Sequence, residues 1–361
     1  MTEPSSLVAR WVRPEVRALH AYVVPSSDGM LKMDAMENPY SWPDTMVADW
    51  QECMQGASLN RYPDATSSAL KARLREVMGI ADDMDVLLGN GSDEIIQLLA
   101  MAVAGQDRLM LAPEPGFVMY RMIATFAGMR YSGVPLDSNF DLDLAAMLAV
   151  IEREHPALIF LALPNNPTGN LFSADRVRAV IEASQGLVVL DEAYTAFTNA
   201  DHLNLLQYPN VLVMRTLSKV GLAGLRLGIL IGHPAWLQEL EKLRLPYNIN
   251  VLTQLSAEFA LDHFNILMAQ TSAIRKQRGE LYSALQQIDK VKVWPSEANF
   301  LLLRCEQARK VHGHMKTNGV LIKCLDGAHP ALRDCLRFTV GAPAENARML
   351  EAFRAALAAS A

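Results

Sequence analysis

Lys219 stands in Arg215-Thr216-Leu217-Ser218-Lys219, directly after the apolar run Val211-Leu212-Val213-Met214 and ahead of Gly221 and Gly224. A lysine amine forms an imine with an aldehyde only when some of it is unprotonated, which requires burial or neighbouring positive charge. Arg215 and Arg226 are placed in the sequence to supply such a field. The small residues around the lysine leave space for a bulky planar group to reach its nitrogen. An isolated Ser-Lys pair is more simply a surface lysine, so the neighbouring segments decide between the two.

The run Leu187-Val188-Val189-Leu190 ends in Asp191-Glu192-Ala193-Tyr194. It predicts a buried parallel strand that delivers a carboxylate and a phenol at its carboxyl end, where open α/β sheets bind ligands. Pyridoxal phosphate requires a carboxylate against its pyridine nitrogen, because the charge pair keeps the ring protonated and able to withdraw electrons. Asp191 suits that place, and Tyr194 suits the ring's phenolic oxygen. Next, Gly89-Asn90-Gly91-Ser92-Asp93-Glu94 lies between Val86-Leu87-Leu88 and the helically spaced Ile95, Leu98, Leu99 and Ala102. This arrangement offers free backbone N–H groups of a first helical turn to a phosphate, although an N-capped helix explains it equally well. Neither a dinucleotide fingerprint nor a nucleotide P-loop is present. Finally, Pro164-Asn165-Asn166-Pro167-Thr168-Gly169 follows the strand-like Leu158 to Leu163, and Asn166 would be a neutral donor at a rigid turn.

Together these segments resemble the fold type I pyridoxal-phosphate-dependent aminotransferases, and among them the histidinol-phosphate aminotransferase family. The resemblance also rests on Glu37-Asn38-Pro39-Tyr40, Arg61-Tyr62-Pro63-Asp64, Gly224-Leu225-Arg226-Leu227-Gly228, Pro246 to Asn250, Glu297 to Phe300 and Leu336 to Gly341, spread over nearly the whole chain in the family's order. It implies that Lys219 binds pyridoxal 5'-phosphate covalently and then moves protons, while Asp191 faces the pyridine nitrogen. It places Asn166 and Tyr194 at the phenolic oxygen, Ser92, Asp93, Ser218 and Arg226 around the phosphate, and Phe117 over the ring. Tyr62 is expected to reach the phosphate held by a neighbouring subunit, which implies a homodimer with shared sites.

The same resemblance gives the substrates as histidinol phosphate and 2-oxoglutarate, an amine phosphate and a dicarboxylate that must share one set of cations. Arg337 resembles the arginine that serves both, since its planar fork matches carboxylate and phosphate. Tyr22 resembles a residue that closes over the substrate, and Asn38 and Lys323 are further expected contacts. Two features depart from the family pattern. Lys323 stands where many relatives carry an arginine, and the segment from Lys219 to Arg226 is one residue shorter than usual. Rival readings on the same fold are an L-threonine-phosphate decarboxylase and a broad aromatic or aliphatic aminotransferase. A cofactor-binding regulator without turnover is a further rival, from another class.

The chain has 361 residues, 51% hydrophobic and 20% charged, with a formal charge of −6. It is long enough for a large core and for two domains, and no basic stripe suits nucleic acid. The basic trio Arg275, Lys276 and Arg278 reads as a solvated helix face. Cys53, Cys305, Cys324 and Cys335 have no metal-ligand or Cys-x-x-Cys spacing and read as free thiols, and His312 and His314 are not spaced as a helical ligand pair, so no metal site is expected. The first thirty residues carry charges at Arg10, Arg13, Glu15 and Arg17 and no long apolar core. With no membrane-length run elsewhere, a cytoplasmic protein is expected.

The elements that must hold these residues follow from periodicity. Apolar runs near 86–88, 108–112, 158–163, 187–190, 211–214 and 227–231 alternate with amphipathic stretches such as Leu144, Met147, Leu148, Ile151 and Val177, Val180, Ile181, the latter preceded by Ser173 as a cap. This predicts an α/β fold with a mostly parallel sheet between helices. Beyond Pro246 a long helical region over about 250–288 is followed by strand-like runs at 291–294, 299–303 and 336–340 and by a final helix. The expected organisation is a large cofactor-binding domain over 36–250 and a small α/β domain over 251–361, completed by residues 1–35, with the site between them.

Overall fold

A computed structural model of the chain describes residues 3–21 and 23–360. Tyr22 lies outside the described residues. The strands among them are β1 (Leu31–Met33), β2 (Asp85–Asn90), β3 (Leu109–Glu114), β4 (Arg130–Pro135), β5 (Leu158–Ala162), β6 (Leu187–Asp191), β7 (Val211–Thr216), β8 (Leu227–Gly232), β9 (Lys292–Val293), β10 (Phe300–Arg304), β11 (Val320–Cys324) and β12 (Cys335–Thr339).

Seven of them form one sheet in the order β2-β8-β7-β6-β5-β3-β4. Strands β7, β6, β5, β3 and β4 run parallel, while β8 is antiparallel to both β7 and β2. Two reversals restore the direction, so β2 also ends at the edge where β3, β5, β6 and β7 end. Side chains alternate across this sheet. Ile159, Leu161, Val188, Leu190 and Val213 pack on one face with Leu74, Met147, Ile151, Val177 and Ala260. Phe160, Leu187, Val189, Leu212 and Met214 pack on the other with Ile95, Leu99, Ile123 and Leu237. Burial on both faces explains why these strands read as continuous apolar runs rather than alternating ones.

The second sheet, β1-β11-β12-β10-β9, is antiparallel apart from the β1–β11 pair. Its core joins Phe300, Leu301, Phe338 and Val320 to Ile274, Leu281, Leu285 and Phe353, and reaches Tyr194 and Phe197 from the turn after β6.

Three local expectations need correction, and one strand was not foreseen. The helical region over 250–288 is two helices, Val251–Asp262 and Phe264–Gln286, parted where the His263 ring bonds the carbonyl of Phe259 at 2.9 Å. Strand β4, with Ser132 and Gly133 on a partly exposed edge, carries no apolar run and escaped the periodicity argument. Ser173 occupies the N-cap position of Ala174–Ala183, but its hydroxyl bonds Asp141 instead of the helix. Arg278 is not part of a solvated face: its guanidinium donates to the carbonyls of Phe197 (3.1 Å) and Ala298 (2.9 Å), clamping the helix to the turn after β6 and to the segment before β10.

Candidate active site

The parallel strands deliver the site. Asp191 is the last residue of β6, the turn Pro164–Gly169 continues β5, and β7 leads through Thr216 into a short 3₁₀ turn, Ser218–Val220, that carries Lys219. At the end of β2, Gly91 adopts φ +82° and starts the helix Ser92–Val103. A side chain there would collide with the Arg226 guanidinium, and a Cβ on Gly228 would lie 2.7 Å from the Ser92 nitrogen. Glycine at both positions therefore leaves a cradle of backbone N–H groups beneath Arg226.

Lys219, Asp191, Tyr194, Asn166, Phe117, Ser92, Asp93, Ser218 and Arg226 line a single cavity of about 130 Å³. The set contains every cofactor residue expected on this chain except Tyr62. At one end are the first-turn N–H groups, Ser92, Ser218 and Arg226, with Asp93 3.7 Å from the Arg226 guanidinium. The Asn166 amide donates to the Tyr194 hydroxyl at 3.2 Å. Asp191 accepts from the Ala193 N–H at 3.1 Å and from the Tyr120 hydroxyl at 2.6 Å. An anion cradle, a reactive amine, a buried carboxylate and a neutral amide–phenol pair are the groups pyridoxal phosphate requires, so the residues fit it.

Burial pushes the Lys219 amine down to about 8, and the Arg337 and Arg226 charges act the same way against Glu37 and Asp93. Arg215, expected to contribute, does not. Its Nε bonds Glu192 at 2.7 Å and its Nη2 bonds Asp201 at 3.0 Å. Lys219 Nζ donates to the Ala35 carbonyl at 3.3 Å. Burial raises the Asp191 carboxyl to about 6 despite its two donors, and burial also raises the Tyr194 phenol above its ordinary range.

The shortened segment after Lys219 closes through two 3₁₀ turns, with Gly221 at φ +112° and Arg226 itself left-handed at φ +50°. These backbone conformations bring the Arg226 guanidinium over Gly91.

A second cavity of about 690 Å³ shares Met36, Phe117 and Asn166 with the first and is lined by Arg337 and Lys323. Both expected anion contacts therefore face one space. Arg337 Nη1 donates to Asn166 at 2.6 Å and Nη2 to the Asp34 carbonyl at 2.9 Å. Asn38 lines neither cavity. Its amide holds the Val220 carbonyl (3.1 Å) and Gln270 (2.9 Å) and accepts from the Tyr40 N–H, so it braces the Lys219 turn. Tyr62 is 80% exposed, away from the cavity, and stacks on Tyr247 at 4.4 Å.

Several residues in or behind the cavity walls were not singled out from sequence. Tyr120 is fully buried, and its helical spacing from Ile123 and Ala124 marks it as core. Glu114, which accepts from Arg121 (2.8 Å) and Tyr131 (3.2 Å), lines the larger cavity with them. Its place at the carboxyl end of a strand was the available signal.

The fold and this site define a pyridoxal-phosphate-dependent aminotransferase of fold type I, and residues 28–353 match the model of aminotransferase class I and II. The chain is 53% identical over 351 residues to histidinol-phosphate aminotransferase 2 of Nitrosococcus oceani, covering 96% of this chain and 98% of that one. It is 48% identical over 348 residues to the histidinol-phosphate aminotransferase of Chromobacterium violaceum, covering 96% and 98%. The chain belongs to the histidinol-phosphate aminotransferase family. Among solved structures, the Sinorhizobium meliloti histidinol-phosphate aminotransferase in complex with pyridoxal-5'-phosphate superposes with TM-score 0.87 at 24% identity, over 97% of this chain and 98% of that one. The L-threonine-O-3-phosphate decarboxylase of Porphyromonas gingivalis shares the fold, with TM-score 0.74 at 20% identity over 91% and 99%.

Proposed function

We propose that this chain transfers the amino group of L-histidinol phosphate to 2-oxoglutarate, giving imidazole acetol phosphate and L-glutamate. The observation that carries the reading is the junction of two cavities: a half-buried lysine and a buried carboxylate in one, and Arg337 with Lys323 in the other. Bound in the smaller cavity, pyridoxal phosphate supplies an aldehyde that takes up the amino group and a protonated ring that withdraws electrons.

Asp191 would hold negative charge against the ring nitrogen, Asn166 and Tyr194 would donate at the phenolic oxygen, and Phe117 would cover the ring face. Ser92, Ser218, Arg226 and the helix N-terminus would bind the phosphate, with Asp93 orienting Arg226. Lys219 Nζ takes the proton from the substrate carbon that bears the amine. With its acidity tuned to about 8, a useful fraction is unprotonated near neutral pH. Arg337 and Lys323 bind the phosphate of one substrate and a carboxylate of the other in alternate half-reactions.

Tyr62, Tyr247, Leu59 and Leu245 are exposed apolar side chains on one chain. They support a homodimer in which Tyr62 reaches the partner's cofactor phosphate. No described helix is long and apolar enough to cross a membrane, and a cytoplasmic location accords with the expected substrates.

The test is to supply purified protein with pyridoxal phosphate, histidinol phosphate and 2-oxoglutarate and measure glutamate. Stoichiometric glutamate is expected. Carbon dioxide released from threonine phosphate without a keto acceptor would instead support the decarboxylase reading, and absence of glutamate would reject the proposed one.

A further inference from the structure

Asp191 has one side-chain donor among the described residues, the hydroxyl of Tyr120 at 2.6 Å from Oδ2, while the Ala193 N–H serves Oδ1. Tyr120 belongs to the helix Val118–Ala127, one turn after Phe117, and is 1% exposed. Its ring stacks on Phe160 of β5 with centroids 4.5 Å apart and meets the Phe117 ring edge-on at 5.5 Å. Those ring contacts fix where the hydroxyl can lie, and a phenylalanine at this position would keep them both. What phenylalanine would lack is the bond to Asp191.

That bond matters because of where Asp191 sits. Burial disfavours its charged form, and the nearby carboxylates Asp93 and Glu192 act the same way. Burial beside Asp191 holds the Tyr120 phenol well above its ordinary range, so the hydroxyl keeps its proton and acts as a donor. A donor to a buried carboxylate stabilises the ionised form far more than the neutral one.

Resting on the cofactor reading above, we propose that Tyr120 is a positioning residue whose hydroxyl keeps Asp191 ionised and aimed at the ring nitrogen of the cofactor. The ring packing of Tyr120 and its hydrogen bond are then separable contributions. Only the second is felt through the ring nitrogen, which gives the proposal a signature that a packing role lacks.

The experiment compares full-length wild type and Tyr120→Phe, stripped of cofactor and titrated by fluorescence with pyridoxal phosphate and with its 1-deaza analogue, whose ring nitrogen is replaced by C–H. The expected result is an approximately tenfold rise in Kd for pyridoxal phosphate with little change for the analogue. In an Asp191→Asn background the same substitution is expected to have no further effect on Kd. With histidinol phosphate, kcat is expected to fall while KM changes little. Equal weakening of both ligands, or no weakening of either, would overturn the role. Failure of wild type to bind pyridoxal phosphate would reject the cofactor reading itself. Binding of the analogue by Tyr120→Phe verifies that the variant is folded.

Discussion

Arg337 and Asn166 are joined across the cleft, Nη1 to Oδ1 at 2.6 Å, linking β12 of the small sheet to the turn that follows β5 of the large one. The same asparagine donates to Tyr194 through its amide nitrogen. The cation facing the larger cavity and the donor pair facing the smaller one are therefore held by one carboxamide. Truncation of Arg337 is expected to disturb both. Arg337→Ala should raise KM tenfold or more for histidinol phosphate and for 2-oxoglutarate, with Arg337→Lys intermediate because it keeps charge but loses the fork. Steady-state kinetics with each substrate varied in turn will check this. A response confined to one substrate would remove the shared anion site.

Lys219→Ala should lose the borohydride-reducible link to the cofactor and at least a thousandfold of turnover. In wild type, the rate at which added pyridoxal phosphate becomes attached should climb with pH and level off above about 8, where the amine is deprotonated. The sign follows from burial disfavouring the ammonium form. Mass spectrometry after reduction reports the link, and absorbance reports its rate. An attachment rate still climbing towards pH 10 would mean the amine is not depressed.

Asp191 illustrates a site group that works against stability. Its carboxyl is raised from 3.8 to about 6, so in the cofactor-free protein its ionisation is a penalty that is complete above pH 6 and vanishes below the ordinary carboxylate range. Asp191→Asn should therefore stabilise the cofactor-free protein by roughly 2 kcal/mol at pH 7. The same variant should retain pyridoxal phosphate poorly. Melting curves at pH 4.5 and pH 7 test the sign, since the gain should shrink at the lower pH.

Tyr62 is 80% exposed on a single chain and should cost little folding stability when removed. If it serves a partner's cofactor, Tyr62→Ala will leave the covalent link intact yet loosen cofactor retention about tenfold. Sedimentation velocity should give a dimer. A monomer that retains full activity would end that assignment.

The parts of the site legible in the sequence were those carried by apolar runs and their terminal residues. Asp191 ends, and Asn166 and Lys219 follow, strands buried on both faces, and such strands announce themselves. A motif conveys position without direction, and the sequence did not show that the Asn38 amide is engaged by Val220, Gln270 and Tyr40. Arg215 misled for a related reason, since neighbours along a strand point to opposite faces and its partner is Glu192. Tyr120 was hidden by its own hydrophobicity: in a helical pattern a tyrosine reads as packing until the partner of its hydroxyl is known. The β4 edge, with Gly133 beneath the Glu114 side chain, was invisible because a small residue there makes room for a neighbour rather than contributing apolar surface.

Strand β1 pairs in parallel with β11, Leu31 opposite Val320 and Met33 opposite Ile322. Nearly three hundred residues of polypeptide separate these partners, so during synthesis the early strand must wait, unpaired, until the ribosome has made almost everything else. A fragment starting at residue 36 would expose the free rim of β11 to whatever extended peptide passes by. The amino-terminal piece thus acts as a latecomer's clasp, closing the assembly only after the body of the enzyme exists.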